Sequence, residues 1–297
     1  MSEETYPVAV TTFYRFSPLS SEELEQWEGE FYSLAESSDL LGLIISAKEG
    51  FNSTLAGSDE TIQKLKSLVR SIPGFAETIF KDSRAKGNPF KRFKIKRREE
   101  IVTLKRPEFV PETVENNHLS PEEWERVLRE EDDFVLIDTR NGYEVELGAF
   151  EGAIDPHMHA FSEFGQFVED SGIPKEKKVL MYCTGGIRCE KAIFEMQSQG
   201  YKNVYQLEGG ILNYLKHFPN SKYEGECFVF DHRVAVDQEL KPSKEWRLCP
   251  HCGDPGKLKI NCELCDTEAI ICEECEKLAG GKSCSKNCAH HLSVSRT

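Results

Sequence analysis

Residues 178–188 read Lys-Val-Leu-Met-Tyr-Cys-Thr-Gly-Gly-Ile-Arg. The first five make a short, nearly continuous apolar run, the signature of a strand buried on both faces. The run from Glu190 to Gln199 is predicted to be a helix. Strands predicted near 134–138 and 203–206 repeat this alternation with helices, which predicts an open α/β sheet with parallel strands. Ligands of such sheets bind beyond the carboxyl ends of the strands. Cys183 occupies that position.

The loop Cys183-Thr184-Gly185-Gly186-Ile187-Arg188 thus runs from a strand into a helix N-terminus. Backbone N–H groups and the helix dipole favour an anion there. Arg188 adds a fixed positive charge, so the thiol pKa should fall and thiolate or persulfide should prevail. Gly185 and Gly186 let the backbone curl with its N–H groups inward. A lone cysteine is usually an inert core residue, but thiolate activation needs this setting. Cys189 reads either as a small residue of the first helical turn or as a second, resolving thiol. Neighbours along a helix do not face each other, which weighs against the latter.

The chain has 297 residues, enough for two or three domains. Hydrophobic content of 39% and charged content of 30% suit a soluble globular protein. No apolar run approaches membrane-spanning length, and Met1-Ser2-Glu3-Glu4 lacks a signal-peptide pattern. With 11 cysteines, the expectation is a cytoplasmic, reduced protein holding a reactive thiol and metal ligands, not disulfides. The net charge of −14 argues against wholesale nucleic-acid affinity.

Upstream, Val8–Tyr14, Leu40–Ala47, Asn52–Leu55, Glu77–Lys81 and Lys94–Leu104 read as extended runs. Helices capped by Ser20, with Glu23 in a capping box, and by Ser58 lie between them. The order β-α-β-β-α-β predicts a ferredoxin-like domain over 1–105. Residues 106–119 read as a linker. An α/β domain over 120–221 opens with a helix capped by Ser120, with Pro121 at its first position. Residues 222–248 read as a connecting segment and 249–297 as a cysteine-rich module.

From Lys81 to Arg106 there are eleven basic and three acidic residues, a local balance of +8. Lys91, Arg92, Lys94, Lys96, Arg97 and Arg98 form its core, and Lys94, Lys96 and Arg98 should share one face of a strand. Against so acidic a background, RNA contact is favoured over the plainer reading of a solvated edge strand. Phe90 and Phe93 could stack on bases or belong to the core.

The tail carries Cys249/Cys252, Cys262/Cys265, Cys272/Cys275 and Cys284/Cys288. Such spacing lets two thiolates grip one tetrahedral ion, and eight cysteines would fill two structural zinc sites. Adjacent pairs could share a metal, or alternate pairs could cross-brace. His251, His290 and His291 could replace a cysteine. Asp138, Arg140 and Glu144 are expected to organise the loops around Cys183. His157 and His159 read as surface histidines and Cys227 as buried. The absence of Gly-x-Gly-x-x-Gly and Walker motifs indicates no nucleotide cofactor.

The Cys183–Arg188 loop, with Ile137-Asp138-Thr139-Arg140 upstream, resembles a rhodanese domain. The longer string from Tyr182 to Ala192 is similar to the rhodanese-containing tRNA uridine hydroxylases that act at the wobble position. Residues 47–52 (Ala-Lys-Glu-Gly-Phe-Asn), 88–90 (Asn-Pro-Phe) and 228–234 (Phe-Val-Phe-Asp-His-Arg-Val) agree, so the resemblance spans about residues 6–237. It departs at Phe51 and Ser53, within a segment that often reads Glu-Gly-Ile-Asn-Gly, and in its longer cysteine tail. The resemblance implies conversion of uridine 34 to 5-hydroxyuridine, with molecular oxygen as co-substrate, the tRNA anticodon arm as partner and Cys183 as the essential cysteine. The wobble base would be splayed toward that sulfur, which could attack C6 and activate C5. The loop alone fits a sulfurtransferase equally well, with Cys183 charged by a persulfide donor protein. A third reading, a non-catalytic RNA or protein adaptor, is opposed by the intact Cys183 and Arg188.

Overall fold

The computed structural model describes residues 5–111, 117–278 and 280–295. Residues 112–116, inside the expected linker, lie outside the described residues.

The N-terminal unit is built from β1 (Val8–Phe16), α1 (Ser21–Glu36), β2 (Leu41–Ala47), β3 (Gly50–Gly57), α2 (Asp59–Ser71), β4 (Lys81–Ala85) and β5 (Phe93–Arg97). Ser20 accepts from the Glu23 amide at 3.2 Å, and the Glu23 carboxylate accepts from the Ser20 amide at 2.8 Å. This reciprocal cap satisfies two otherwise orphaned donors. The strands order β4-β1-β3-β2-β5. The first four are antiparallel, giving the ferredoxin-like sheet, and β5 adds a parallel edge strand beside β2.

Two expected strands end elsewhere. The run Glu77–Lys81 is not a strand, and β4 begins only at Lys81. Successive turns, Phe75 N–H to Ile72 and Thr78 N–H to Phe75 (both 3.0 Å), carry the chain there instead. The run Lys94–Leu104 stops at Arg97, because the Glu100 carboxylate draws in the amides of Leu104 and Lys105 at 3.2 and 2.9 Å. Phe93 packs with Ile95 against the core under α1, and Phe90 packs near Val10, Ala56 and Ala85. Both rings are thus partly buried against the core.

The second unit contains β6 (His118–Leu119), α3 (Pro121–Glu130), β7 (Phe134–Asp138), α4 (Gly142–Val145) and β8 (Gly148–Phe150). It continues with α5 (Phe164–Asp170), β9 (Lys178–Tyr182), α6 (Ile187–Ser198), β10 (Val204–Leu207) and α7 (Gly210–His217). Its sheet is parallel, in the order β6-β10-β9-β7. Helix α6 starts at Ile187, three residues earlier than expected, so the glycine loop leads directly into its first turn.

The connecting segment forms β11 (Tyr223–Gly225), paired with β8, and a hairpin of β12 (Cys227–Phe228) and β13 (Ala235–Val236). The tail contains β14 (Arg247–Leu248), β15 (Pro255–Gly256), β16 (Leu258–Asn261), β17 (Glu268–Ile271), α8 (Glu273–Glu276) and α9 (Lys286–Ser295). Among the described residues, no helix is long and apolar enough to cross a membrane.

The first two units are locked face to face. Lys191, fully buried on α6, pairs with Glu49 at 2.8 Å and Glu100 at 2.6 Å, both from the N-terminal unit. Tyr14 donates to Glu190 at 2.8 Å. Arg233 of the connecting segment reaches back to the Ser83 hydroxyl at 2.7 Å.

Candidate active site

Cys183 follows the carboxyl end of β9, where parallel-sheet geometry places ligand sites. The Gly186 amide donates to its Sγ at 3.0 Å. Gly186 has φ of 99°, and a Cβ there would stand 2.8 Å from the Tyr14 hydroxyl. Only glycine combines that backbone with that clearance. Helix α7 closes the loop from behind. Ile211 and Leu212 donate backbone N–H groups to the carbonyls of Cys183 and Thr184 at 3.0 and 3.1 Å. A Cβ on Gly210 would fall 2.4 Å from the Cys183 carbonyl oxygen, so this close approach also requires glycine.

Burial pushes the Cys183 thiol pKa up. A hydrogen bond from Cys189, the Arg188 charge and the amides of Arg188 and Gly185 outweigh it and bring the value down to about 6. Cys189 moves the other way, raised by burial and then by its bond to Cys183, and so stays a thiol. The two thiols therefore influence each other's ionisation across the loop. The Cys189 sulfur also lies 3.5 Å from the Thr139 hydroxyl.

Arg188 is clamped by Glu144, which accepts from both terminal nitrogens at 2.8 Å. The Thr184 hydroxyl donates to the same carboxylate at 3.3 Å. Asp138 and Arg140 form their own fully buried pair at 2.6 Å, and Arg140 also donates to the Gly148 carbonyl. They brace the chain behind the loop and do not contact the sulfur. Ile187 packs at the seam with Phe16, Ala47 and Ile101.

Residues outside the motif complete the surroundings. Tyr14 and Lys81 arrive from the N-terminal sheet, and Glu190 is fixed by Tyr14, His118 and Gln206 at 2.8, 3.1 and 2.9 Å. The Cys183 side chain is 1% exposed. A β4 lysine and a β1 tyrosine could not have been associated with Cys183 from local spacing. The glycine pair Gly209-Gly210 was the one local signal of close packing.

The basic residues divide by face. Register carries Lys81 through Thr12, Thr54 and Leu43 to Lys94, and Tyr14 through Asn52 and Ile45 to Lys96. Cross-strand partners share a face, so Lys94 and Lys96 lie on the sheet face that carries Tyr14 and Lys81. Arg97 points to the other face and pairs with Glu28 at 2.8 Å. Lys91, Arg92 and Arg98 are exposed on flanking turns.

In the tail, Cys249, Cys252, Cys272 and Cys275 form one group, and Cys262, Cys265, Cys284 and Cys288 another. Alternate pairs therefore come together, in a cross-brace. Within each group the sulfurs lie within 4.8 Å of one another, with measured separations of 3.5 to 4.0 Å. A tetrahedral ion with 2.3 Å metal–sulfur bonds needs about 3.8 Å. The amides of Asp254 and Cys275 donate to Cys252 and Cys272 at 3.4 Å, as thiolate ligands require. Both groups could hold a metal ion. His251 instead contacts the Ser283 carbonyl at 2.8 Å. Cys227 is buried and its thiol is pushed up to about 12 by that burial. His157 and His159 lie exposed on a loop.

Three family profiles match the chain. The UPF0176 acylphosphatase like domain covers residues 8–101, the rhodanese-like domain 120–217 and the rhodanase C-terminal region 224–289. A tRNA uridine(34) hydroxylase of Bdellovibrio bacteriovorus is 50% identical over 285 residues, covering 95% of this chain and 81% of that protein. One from Rhizobium leguminosarum bv. trifolii is 40% identical, covering 91% of this chain and 87% of that protein. One from a Picosynechococcus species is 40% identical, covering 83% and 82% respectively.

Proposed function

This chain belongs to the tRNA uridine(34) hydroxylase family, and from that premise we propose that it hydroxylates C5 of the wobble uridine of tRNA, with Cys183 as nucleophile. The observation that carries this reading is the sulfur itself, held by the Gly186 amide at 3.0 Å beside Arg188 and thereby favoured as an anion. A thiolate adds to C6 of a pyrimidine and makes C5 electron-rich. Molecular oxygen then supplies the hydroxyl oxygen. Loss of the C5 proton expels the Cys183 sulfur from C6 and restores the C5=C6 bond. The second oxygen atom then leaves as water, the two protons and two electrons coming from a dithiol that closes as a disulfide. Cys183 and Cys189, on either side of the loop, are the dithiol proposed for that role.

The base must leave its stack to reach the sulfur. Since Cys183 is 1% exposed, the seam that Tyr14 and Lys81 occupy must yield as the base enters. The half-exposed sheet face from Lys81 to Lys94 suits an anticodon loop laid across the strands. Four strand spacings make it about 19 Å wide. Lys94, Lys96 and the flanking Lys91, Arg92 and Arg98 would hold phosphates at its far edge. Arg97, committed to Glu28 on the other face, contributes least. Two zinc ions in the cross-braced groups would stabilise the tail, whose core is small. The cytoplasm is where this substrate and reduced thiols coexist.

The test is mass spectrometry of tRNA nucleosides from cells lacking the protein, complemented with wild type or with Cys183→Ser. Derivatives of 5-hydroxyuridine should return only with wild type. Their persistence in the uncomplemented deletion strain would end the hydroxylase reading.

A further inference from the structure

The glycine loop supplies one cation to the sulfur, and the N-terminal unit brings a second. Lys81 opens β4 and is only 5% exposed. Its ammonium lies 4.3 Å from the centre of the Tyr14 ring. Its Cδ lies 3.8 Å from where a Cβ on Gly185 would stand. The adjacent carboxylate, Asp82, is already engaged by Lys66 at 2.6 Å and Thr11 at 2.7 Å. Among the described residues, no carboxylate pairs with Lys81. The other deeply buried lysine, Lys191, has two. A buried ammonium without a counter-ion is costly, and the negative groups within its field are the Cys183 sulfur, Glu208 and Glu190, the last already engaged by Tyr14, His118 and Gln206.

We propose that Lys81 is the second cation of the reaction centre, holding the Cys183 thiolate at rest and the C4 oxygen of the uracil once sulfur has added. The proposal rests on the hydroxylase reading above. In that step the Cys183 Sγ–C6 bond forms while the π pair of C5=C6 moves toward the C4 oxygen. Charge leaves sulfur and appears on oxygen as an enolate, and nothing is oxidised or reduced. A positioned ammonium stabilises that developing charge. Arg188 is poorly placed to do so, because Glu144 occupies both its terminal nitrogens.

Burial pulls the Lys81 pKa down to about 8, against the opposing fields of Cys183 and Glu190. The charged and titratable groups around the pair are Arg188, Cys189 and Glu190 on α6, Tyr14 on β1, Glu144 on α4, and Glu208 and Lys216 near Lys81. Thiolate forms above about 6 and ammonium persists below about 8. The hydroxylation rate should therefore rise through the first value and fall through the second, a bell belonging to the coupled pair.

The experiment compares full-length wild type with Lys81→Met and Lys81→Arg. Cys183 ionisation is followed by its ultraviolet thiolate band, each protein being subtracted from its Cys183→Ser counterpart. Lys81→Met should melt no lower than wild type, because an unpaired buried charge has gone. Its Cys183 midpoint should rise by about one unit or more. Hydroxylation should fall about a hundredfold at saturating tRNA, and Lys81→Arg should restore the low midpoint. A folded Lys81→Met protein with wild-type midpoint and rate would overturn the proposal. Should that variant not fold, a wild-type rate profile without a descending alkaline limb would overturn it equally. If wild type itself makes no 5-hydroxyuridine, the hydroxylase reading fails, while the midpoint shift still reports whether Lys81 and Cys183 are paired.

Discussion

Glu144 shows how much of this site is decided by single side chains. It is fully buried and faces Arg188 through two 2.8 Å hydrogen bonds. Removing one partner of such a pair leaves an uncompensated buried charge, at a cost of about 3–5 kcal/mol. Glu144→Ala should lower unfolding stability by that amount in a denaturant titration. A loss of about 1 kcal/mol or less, the worth of an exposed pair, would show the clamp to be dispensable. The sulfur, the glycines and the arginine were legible in sequence because one six-residue turn contains them. Lys81, Tyr14 and the partners of Glu190 were not, because only tertiary packing brings them to the loop. Cys189 was legible both as a small residue of the first helical turn and as a second thiol, and local spacing left the two open.

At the scale of elements, caps and periodicity located the helices well, since a Ser-x-x-Glu box is chemistry contained in four residues. Strand ends were less legible. Strand β5 stops where the distant Glu100 carboxylate captures backbone amides, and β4 starts late because two turns precede it. The basic run looked uniform in sequence, but pleating divides it. Lys94 and Lys96 share a face with Lys81, while Arg97 faces α1. Reversing the charge of Lys94 and Lys96 together should weaken tRNA binding. It should also flatten the slope of log affinity against log salt by about two, one for each phosphate no longer neutralised. Unchanged affinity would return β5 to the role of a charged edge strand that blocks sheet extension.

At the scale of the molecule, the Cys-Glu-Lys run that follows the loop is also the joint between units. Cys189 acts on the ionisation of Cys183, Glu190 holds Tyr14, and Lys191 is buried between Glu49 and Glu100. Reaction chemistry and domain packing thus share one turn of helix, so the N-terminal sheet cannot shift without disturbing the sulfur. This coupling was not readable from sequence, where residues 47–52 and 189–191 are merely two short strings. The cross-braced tail was half readable: the pairs were evident, and only the fold shows which pairs join. The most direct measurement of the central claim is the titration of Cys183 in the intact chain, read as the ultraviolet thiolate band of wild type minus that of Cys183→Ser. The account predicts a midpoint of about 6. A midpoint near the free-cysteine value of about 8.5 would contradict it.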